Sequence, residues 1–149
     1  MLAGCSAAQP TKRDADGNII AANENASVFD MRVGDCYLES DFSADDEEIT
    51  EVESIPAVPC SATHDLEVYA VKPIDRNEFP GEAKVTASTE NYCIKKFKSF
   101  VGKSYRKSEL DVYYFFPTSE SWAQGDRDRT CLVFDPDKTT TGTLRNARR

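Results

Sequence analysis

The chain has 149 residues, of which 40% are hydrophobic and 10% aromatic, and this length favours a single domain with one main core. The formal net charge of −8 at pH 7 argues against nucleic acid as the main partner, because the phosphate backbone would repel the chain as a whole. No segment approaches the roughly 20 apolar residues that a membrane-spanning helix requires.

The beginning of the chain, Leu2-Ala3-Gly4-Cys5, resembles the lipobox at which bacterial lipoprotein precursors are cut and acylated. A complete secretory signal would need a preceding apolar stretch of roughly 7 to 15 residues. We expect Cys5 to carry two acyl chains that anchor the exported protein to the outer leaflet of the cytoplasmic membrane. The alternative is a cytosolic chain with five reduced thiols.

Residues 6–27 are rich in Ala, Asn, Asp, Gln and Thr and show no apolar periodicity, which is typical of a flexible tether. After Pro136 the chain turns polar and ends with several arginines, which predicts a disordered basic tail. The expected organisation is therefore a lipobox remnant and tether over residues 1–27, a domain over 28–137 and a tail over 138–149.

Alternating or β-branched apolar residues bounded by turn signals predict several half-buried antiparallel strands. A short helical turn is expected around Trp122, between the last two strands. The expected strands cover residues 36–39, 52–58, 66–71, 112–116 and 130–134.

The sequence predicts one long helix, over residues 88–101. Its apolar residues Cys93, Phe97, Phe100 and Val101 recur at helical spacing and form one stripe. Gly102 suits the C-terminal end of this helix. Together these elements predict an α+β fold: a small antiparallel sheet of about five strands with one amphipathic helix packed on it and two disulfides.

The sequence contains two runs of like charge. Residues 41–53 hold seven acidic side chains and no cation, whereas residues 95–107 hold six cations and no acid. Such asymmetry permits an oriented electrostatic contact, but runs of this kind usually form solvated faces, and that is the interpretation we favour here.

Three motifs together resemble the actinobacterial septum formation domain, and the resemblance covers about residues 31–135. The stretch from Trp122 to Cys131 is the most specific part. The motifs are Val33-Gly34-Asp35-Cys36, Val58-Pro59-Cys60-Ser61-x-x-His64-Asp65-x-Glu67-Val68, and Pro117-Thr118-x-x-Ser121-Trp122-x-x-Gly125-Asp126-Arg127-x-x-x-Cys131, with a helical Cys93 between the last two. The resemblance implies an exported or membrane-anchored domain connected with septum formation.

Four cysteines remain if Cys5 is lipidated, and an even set favours two structural disulfides. Four cysteines allow three pairings. We favour the pairing in which one bond joins two neighbouring strands across the acidic loop and the other joins the helix to the last strand. These bonds are Cys36–Cys60 and Cys93–Cys131.

His64 is the only histidine, and its expected role is to hold a turn through backbone hydrogen bonds. With Cys60 it offers two zinc ligands, but a zinc site needs two more. Trp122 is expected to anchor its loop. Asp126 and Arg127 form either a recognition patch or an internal ion pair.

These features predict a non-catalytic lipoprotein that acts as a binding or scaffolding module in the cell envelope and supports septum formation or cell division. Its expected partner is an envelope or divisome protein, and we expect no metal or other cofactor. The alternatives are a ligand-binding or inhibitory surface lipoprotein and, with less support, an envelope hydrolase that uses His64.

Overall fold

The computed structural model describes residues 8–39 and 52–149. Within these residues a curled sheet of six antiparallel strands carries one long helix, which confirms the predicted α+β class. The elements are β1 (Asn23–Ser27), β2 (Cys36–Tyr37), β3 (Ser54–Val58), β4 (Thr63–His64), β5 (Leu66–Pro73), α1 (Glu82–Val101), β6 (Asp111–Phe115), α2 (Ser119–Ala123), β7 (Asp128–Phe134) and β8 (Thr140–Thr141), with 3-10 turns at Val28–Asp30 and Tyr105–Lys107.

The strand order in the large sheet is β1-β3-β2-β5-β7-β6, and β4 pairs separately with β8. Successive residues of a strand point to opposite faces, and β7 shows this clearly. Val133 belongs to the core under α1, whereas its neighbour Leu132 belongs to the core on the other face. Both faces of the central strands are therefore buried, so the prediction of half-buried strands is wrong for β5 and β7, because α1 covers one face and the N-terminal segment packs on the other.

Helix α1 packs on β5, β6 and β7 through the predicted stripe, in which Phe97 is fully buried. The helix begins at Glu82 rather than at Ser88, because Val85, four residues before the buried Thr89, extends the buried face toward the N-terminus. It ends as predicted, with Gly102 in the left-handed region at φ 84° and its N–H donating to the Lys98 carbonyl.

The predicted tether is wrong for residues 8–27. Strand β1 lies in this segment and pairs with β3 at the edge of the sheet, and Ile19 and Ala26 are buried in the core. Arg13 also forms an ion pair with the buried Asp35. The polar composition of the segment is misleading, because strands pair through backbone N–H and C=O groups. Polar residues supply these groups as well as apolar residues do. Residues 1–7, which include Cys5, lie outside the described residues.

The predicted disordered tail over residues 138–149 is also wrong. Strand β8 pairs with β4, Leu144 packs in the core beneath α1, and Arg149 forms ion pairs with Asp135 and Glu109. A few apolar and charged anchors are enough to order this polar segment, since each one meets a partner from a distant part of the chain. The fold therefore extends to the last residue.

Both favoured disulfides are present. Cys36–Cys60 connects β2 to the turn before β4, and Cys93–Cys131 connects α1 to β7. No helix among the described residues combines the length and apolar character needed to cross a membrane.

Candidate functional site

The loop between β6 and β7 carries the most specific of the three motifs, and its local sequence explains its shape. Thr118 caps the short helix α2: its hydroxyl accepts a hydrogen bond from the Ser121 N–H, and the Ser121 hydroxyl accepts one from the Thr118 N–H. This reciprocal arrangement satisfies two backbone donors at the start of the helix. Gly125 then takes φ 101°, a left-handed conformation that favours glycine, and reverses the chain.

Trp122 holds this loop against the rest of the domain. Its side chain is buried, the Phe79 ring lies 5.6 Å from it, and the Arg127 guanidinium carbon lies 3.7 Å from the ring centroid. Arg127 also donates to the backbone carbonyls of Trp122 and Asp126. The loop is thus fixed by an aromatic and a cation–π contact, together with main-chain hydrogen bonds.

Asp126 fixes the same loop from the other side. One carboxylate oxygen accepts from the Ser121 hydroxyl at 2.9 Å, and the other accepts from the Asp128 N–H at 3.1 Å. Arg127 contacts the Asp126 carbonyl, and no ion pair between the two side chains occurs among the described residues. Burial, followed by the charge of Asp126, raises the pKa of the Asp128 carboxyl.

A cleft of about 350 Å³ lies beside this loop. It is lined by residues of the loop, including Gln124 and Asp126, and by Phe29 in the first 3-10 turn. Phe29 is 55% exposed, which is unusual for a large aromatic side chain in the described part of the chain. A smaller hollow of about 100 Å³ adjoins it toward Phe115 and Phe116. The cleft therefore offers aromatic, amide and carboxylate groups together.

His64 lies elsewhere, in β4, and its side chain is completely buried. Its Nδ1 lies 2.9 Å from the Ala62 carbonyl oxygen, so the ring holds its own turn, and its Nε2 is buried without a hydrogen-bond partner. The structure brings this ring close to the Cys36 sulfur and the Glu67 carboxylate, and these three ligand atoms lie within 4.8 Å of one another.

Sequence reasoning missed Glu67. Its signal is a single charged residue inside the apolar stretch of β5, and its position directly opposite Cys36 depends on the pairing of β2 with β5. The carboxylate is 1% exposed and accepts hydrogen bonds from the Thr143 hydroxyl and the Leu144 N–H, so it also holds the C-terminal segment.

The basic run on α1 behaves as the sequence indicates. Lys95, Lys96 and Lys98 are exposed, on the side of the helix away from the buried stripe. Most of the acidic run lies outside the described residues.

The chain was compared with known protein families and with solved structures. The model of the septum formation family matches residues 33–148, which covers most of the chain and includes both the cleft-forming loop and the His64 region. No curated protein and no solved structure matched the chain.

Proposed function

Because the chain belongs to the septum formation family, which indicates a role in cell division, we propose that it is a non-catalytic binding module of the cell envelope. In this proposal Cys5 carries the lipid that holds the domain at the outer face of the cytoplasmic membrane. The ordered domain contacts an envelope or divisome protein through the cleft between Phe29 and the Trp122 loop.

The observation that carries the proposal is the set of contacts that hold the loop in place beside an open cleft. The side chains of Trp122, Asp126 and Arg127 are engaged in fixing the loop, whereas Gln124 and Phe29 present exposed groups to the cleft. A surface that is fixed before a partner arrives loses less conformational entropy on binding. Exposed aromatic side chains are also typical anchors of protein interfaces.

The chemistry near the cleft supports binding over catalysis. The Ser121 hydroxyl donates to the Asp126 carboxylate, which is a weaker base than the imidazole that activates most serine nucleophiles. His64, the base that such a reaction usually employs, is fully buried and its Nδ1 is hydrogen-bonded to a backbone carbonyl.

Export is supported by the cysteines. Both disulfides have at least one fully buried cysteine and join distant parts of the chain, as structural disulfides do. Such bonds persist in oxidising compartments and are rare in the cytosol. Together with the lipobox-like start, they favour a location outside the cytoplasmic membrane.

Photo-crosslinking in dividing cells tests the proposed interface. A photoreactive phenylalanine analogue replaces Phe29 in one strain and Ile20 in the control strain, because Ile20 is equally exposed, at 56%, and does not line the cleft. We expect a discrete crosslinked envelope protein from position 29 and none from position 20. Identical products from both positions, or none from either, would contradict the cleft as the interface.

A second experiment tests the anchor. Replacing Cys5 by Ser in the full-length precursor should release the protein into the medium, because the acyl chains provide the membrane affinity. Retention of the Cys5→Ser protein in the membrane fraction would refute the proposed lipid anchor. Mass spectrometry of the exported protein without reduction should find the four domain cysteines oxidised.

A further inference from the structure

The buried cluster around His64 has the composition of a metal site. Cys36 and Glu67 stand opposite each other on β2 and β5, and β4, which directly precedes β5 in the chain, brings His64 to the same point. One ligand atom from each of the three lies within 4.8 Å of the other two, and the three residues are at most 1% exposed. Ligand atoms in a tetrahedral zinc site are roughly 3.2 to 3.8 Å apart, from bonds of about 2.0 to 2.3 Å, so a modest contraction would suffice.

Among the described residues, the cluster contains groups that can bind a cation, and no side-chain cation forms an ion pair with it. The Ala62 carbonyl oxygen can only accept, so Nδ1 of His64 carries the proton of this hydrogen bond, which leaves Nε2 as the ring nitrogen available to a metal ion. That nitrogen is buried without a partner. No lysine or arginine within residues 8–39 and 52–149 forms an ion pair with Glu67. An unpartnered buried imidazole nitrogen and a buried carboxylate are both group types that bind metal cations.

Cys60 offers a fourth ligand, and its sulfur is bonded to the sulfur of Cys36. Cys60 forms the disulfide with Cys36, and its sulfur lies 3.1 Å from the Gly34 carbonyl oxygen. While the disulfide is intact, neither sulfur is a thiolate and neither can act as a strong zinc ligand. Breaking this bond would add two thiolates to the imidazole and the carboxylate, which completes four ligands.

We propose that reduction of the Cys36–Cys60 disulfide converts this cluster into a Zn²⁺ site with Cys36, Cys60, His64 and Glu67 as ligands. A dithiol reductant gives two electrons and two protons to the bond and leaves as a cyclic disulfide, so that two thiols form. Zinc binding then displaces both thiol protons to solvent. The disulfide and the metal are mutually exclusive states of one site.

Of the two disulfides, Cys36–Cys60 is the more accessible to a reductant. Cys60 is partly exposed, whereas Cys93 and Cys131 are both fully buried, so a reductant reaches the Cys36–Cys60 bond first. Hydrogen bonds from Thr143 and Leu144 orient the Glu67 carboxylate, as outer contacts do in metal sites. This inference does not depend on the proposed role in cell division.

The test uses the full chain after mild dithiothreitol treatment and anaerobic removal of the reductant. Mass spectrometry first verifies that only the Cys36–Cys60 bond is open. Calorimetry then measures Zn²⁺ binding, and Co²⁺ is added separately as a spectroscopic probe of geometry. We expect one Zn²⁺ per reduced chain, release of protons, and a visible Co²⁺ spectrum of tetrahedral sulfur-containing type. The oxidised chain should bind neither ion.

Glu67→Gln keeps the size of the side chain and removes its charge, and it should weaken zinc binding by roughly 10- to 100-fold. Glu90→Gln is the matched control, because Glu90 is exposed on α1, and it should leave the affinity unchanged. Zinc should also protect Cys36 and Cys60 of the reduced wild-type protein from alkylation, a measurement that needs no variant.

Three results would overturn the proposal. They are equal zinc binding by the oxidised and reduced chains, an unchanged affinity in Glu67→Gln, and alkylation of the two thiols at the same rate with and without zinc. Zinc binding that persists in concentrated denaturant would show capture by unfolded thiols and would likewise reject a folded site.

Discussion

Replacing Arg13 by Met tests whether the N-terminal segment is part of the folded domain. The two terminal nitrogens of Arg13 donate to the two carboxylate oxygens of Asp35 at 2.6 and 2.7 Å, and the side chains are only 10% and 2% exposed. The ion pair raises the pKa of Arg13, mainly through its hydrogen bond to Asp35. Methionine would keep most of the apolar volume and leave the Asp35 charge buried without a cation.

The expected loss follows from these contacts. Hydrogen bonds to charged groups contribute about 1.5 to 3 kcal/mol each, and breaking a buried ion pair by removing one partner costs about 3 to 5 kcal/mol. We therefore expect Arg13→Met to lower the free energy of unfolding by about 3 to 5 kcal/mol. The Tyr37 hydroxyl and the Arg32 N–H still donate to Asp35, which holds the loss within this range.

Denaturant unfolding followed by fluorescence measures this loss, because Trp122 is the only tryptophan. Arg32→Met is the matched control: its side chain forms an ion pair with Asp30 in which both residues are more than half exposed. Such pairs contribute about 0 to 1 kcal/mol. If Arg13→Met cost no more than Arg32→Met, residues 8–27 would not be integrated into the fold and the reasoning would be refuted.

Three further predictions concern the rest of the domain. In denaturant unfolding, Phe97→Ala should lower the free energy of unfolding by about 3 to 5 kcal/mol, and Lys96→Glu should change it by no more than about 0.5 kcal/mol, because only Phe97 is buried. Similar losses in the two variants would show that the helix faces are misassigned. Gly102→Ala should lower the stability by about 1 to 2 kcal/mol, since φ is 84° there, and an unchanged melting temperature would contradict this. Burial opposes ionisation of Asp135, but hydrogen bonds, including one from Arg149, hold its pKa below the usual value. Its contribution to stability is therefore present above about pH 4 and lost as the pH falls through the folded-state pKa, so acid titration of Asp135→Asn should show a flatter decline than wild type.

Several features of the candidate site could be predicted from local sequence. Thr118, Ser121 and Gly125 specify a capped turn and a chain reversal through interactions between near neighbours. The position of Trp122 in that turn follows from them. The open cleft does not, because its other wall, Phe29, comes from a segment whose composition indicates a tether.

The sequence by itself determined the fold class, the helix stripe, the central strands and the number of disulfides, whereas the choice among the three possible pairings was settled by the structure. Each of these leaves a periodic or countable pattern in adjacent residues, and a stripe such as the one around Phe97 is readable without knowing what it packs against. The family followed from spaced motifs for the same reason.

Only the tertiary structure decided where the domain begins and ends and which buried polar groups meet. Strand β1 joins the sheet through backbone hydrogen bonds to β3, which leave no mark on side-chain pattern. The ion pair of Arg13 with Asp35 and the cluster of Cys36, His64 and Glu67 each join residues from separate elements. Their contacts depend on strand register, which is a property of the assembled sheet.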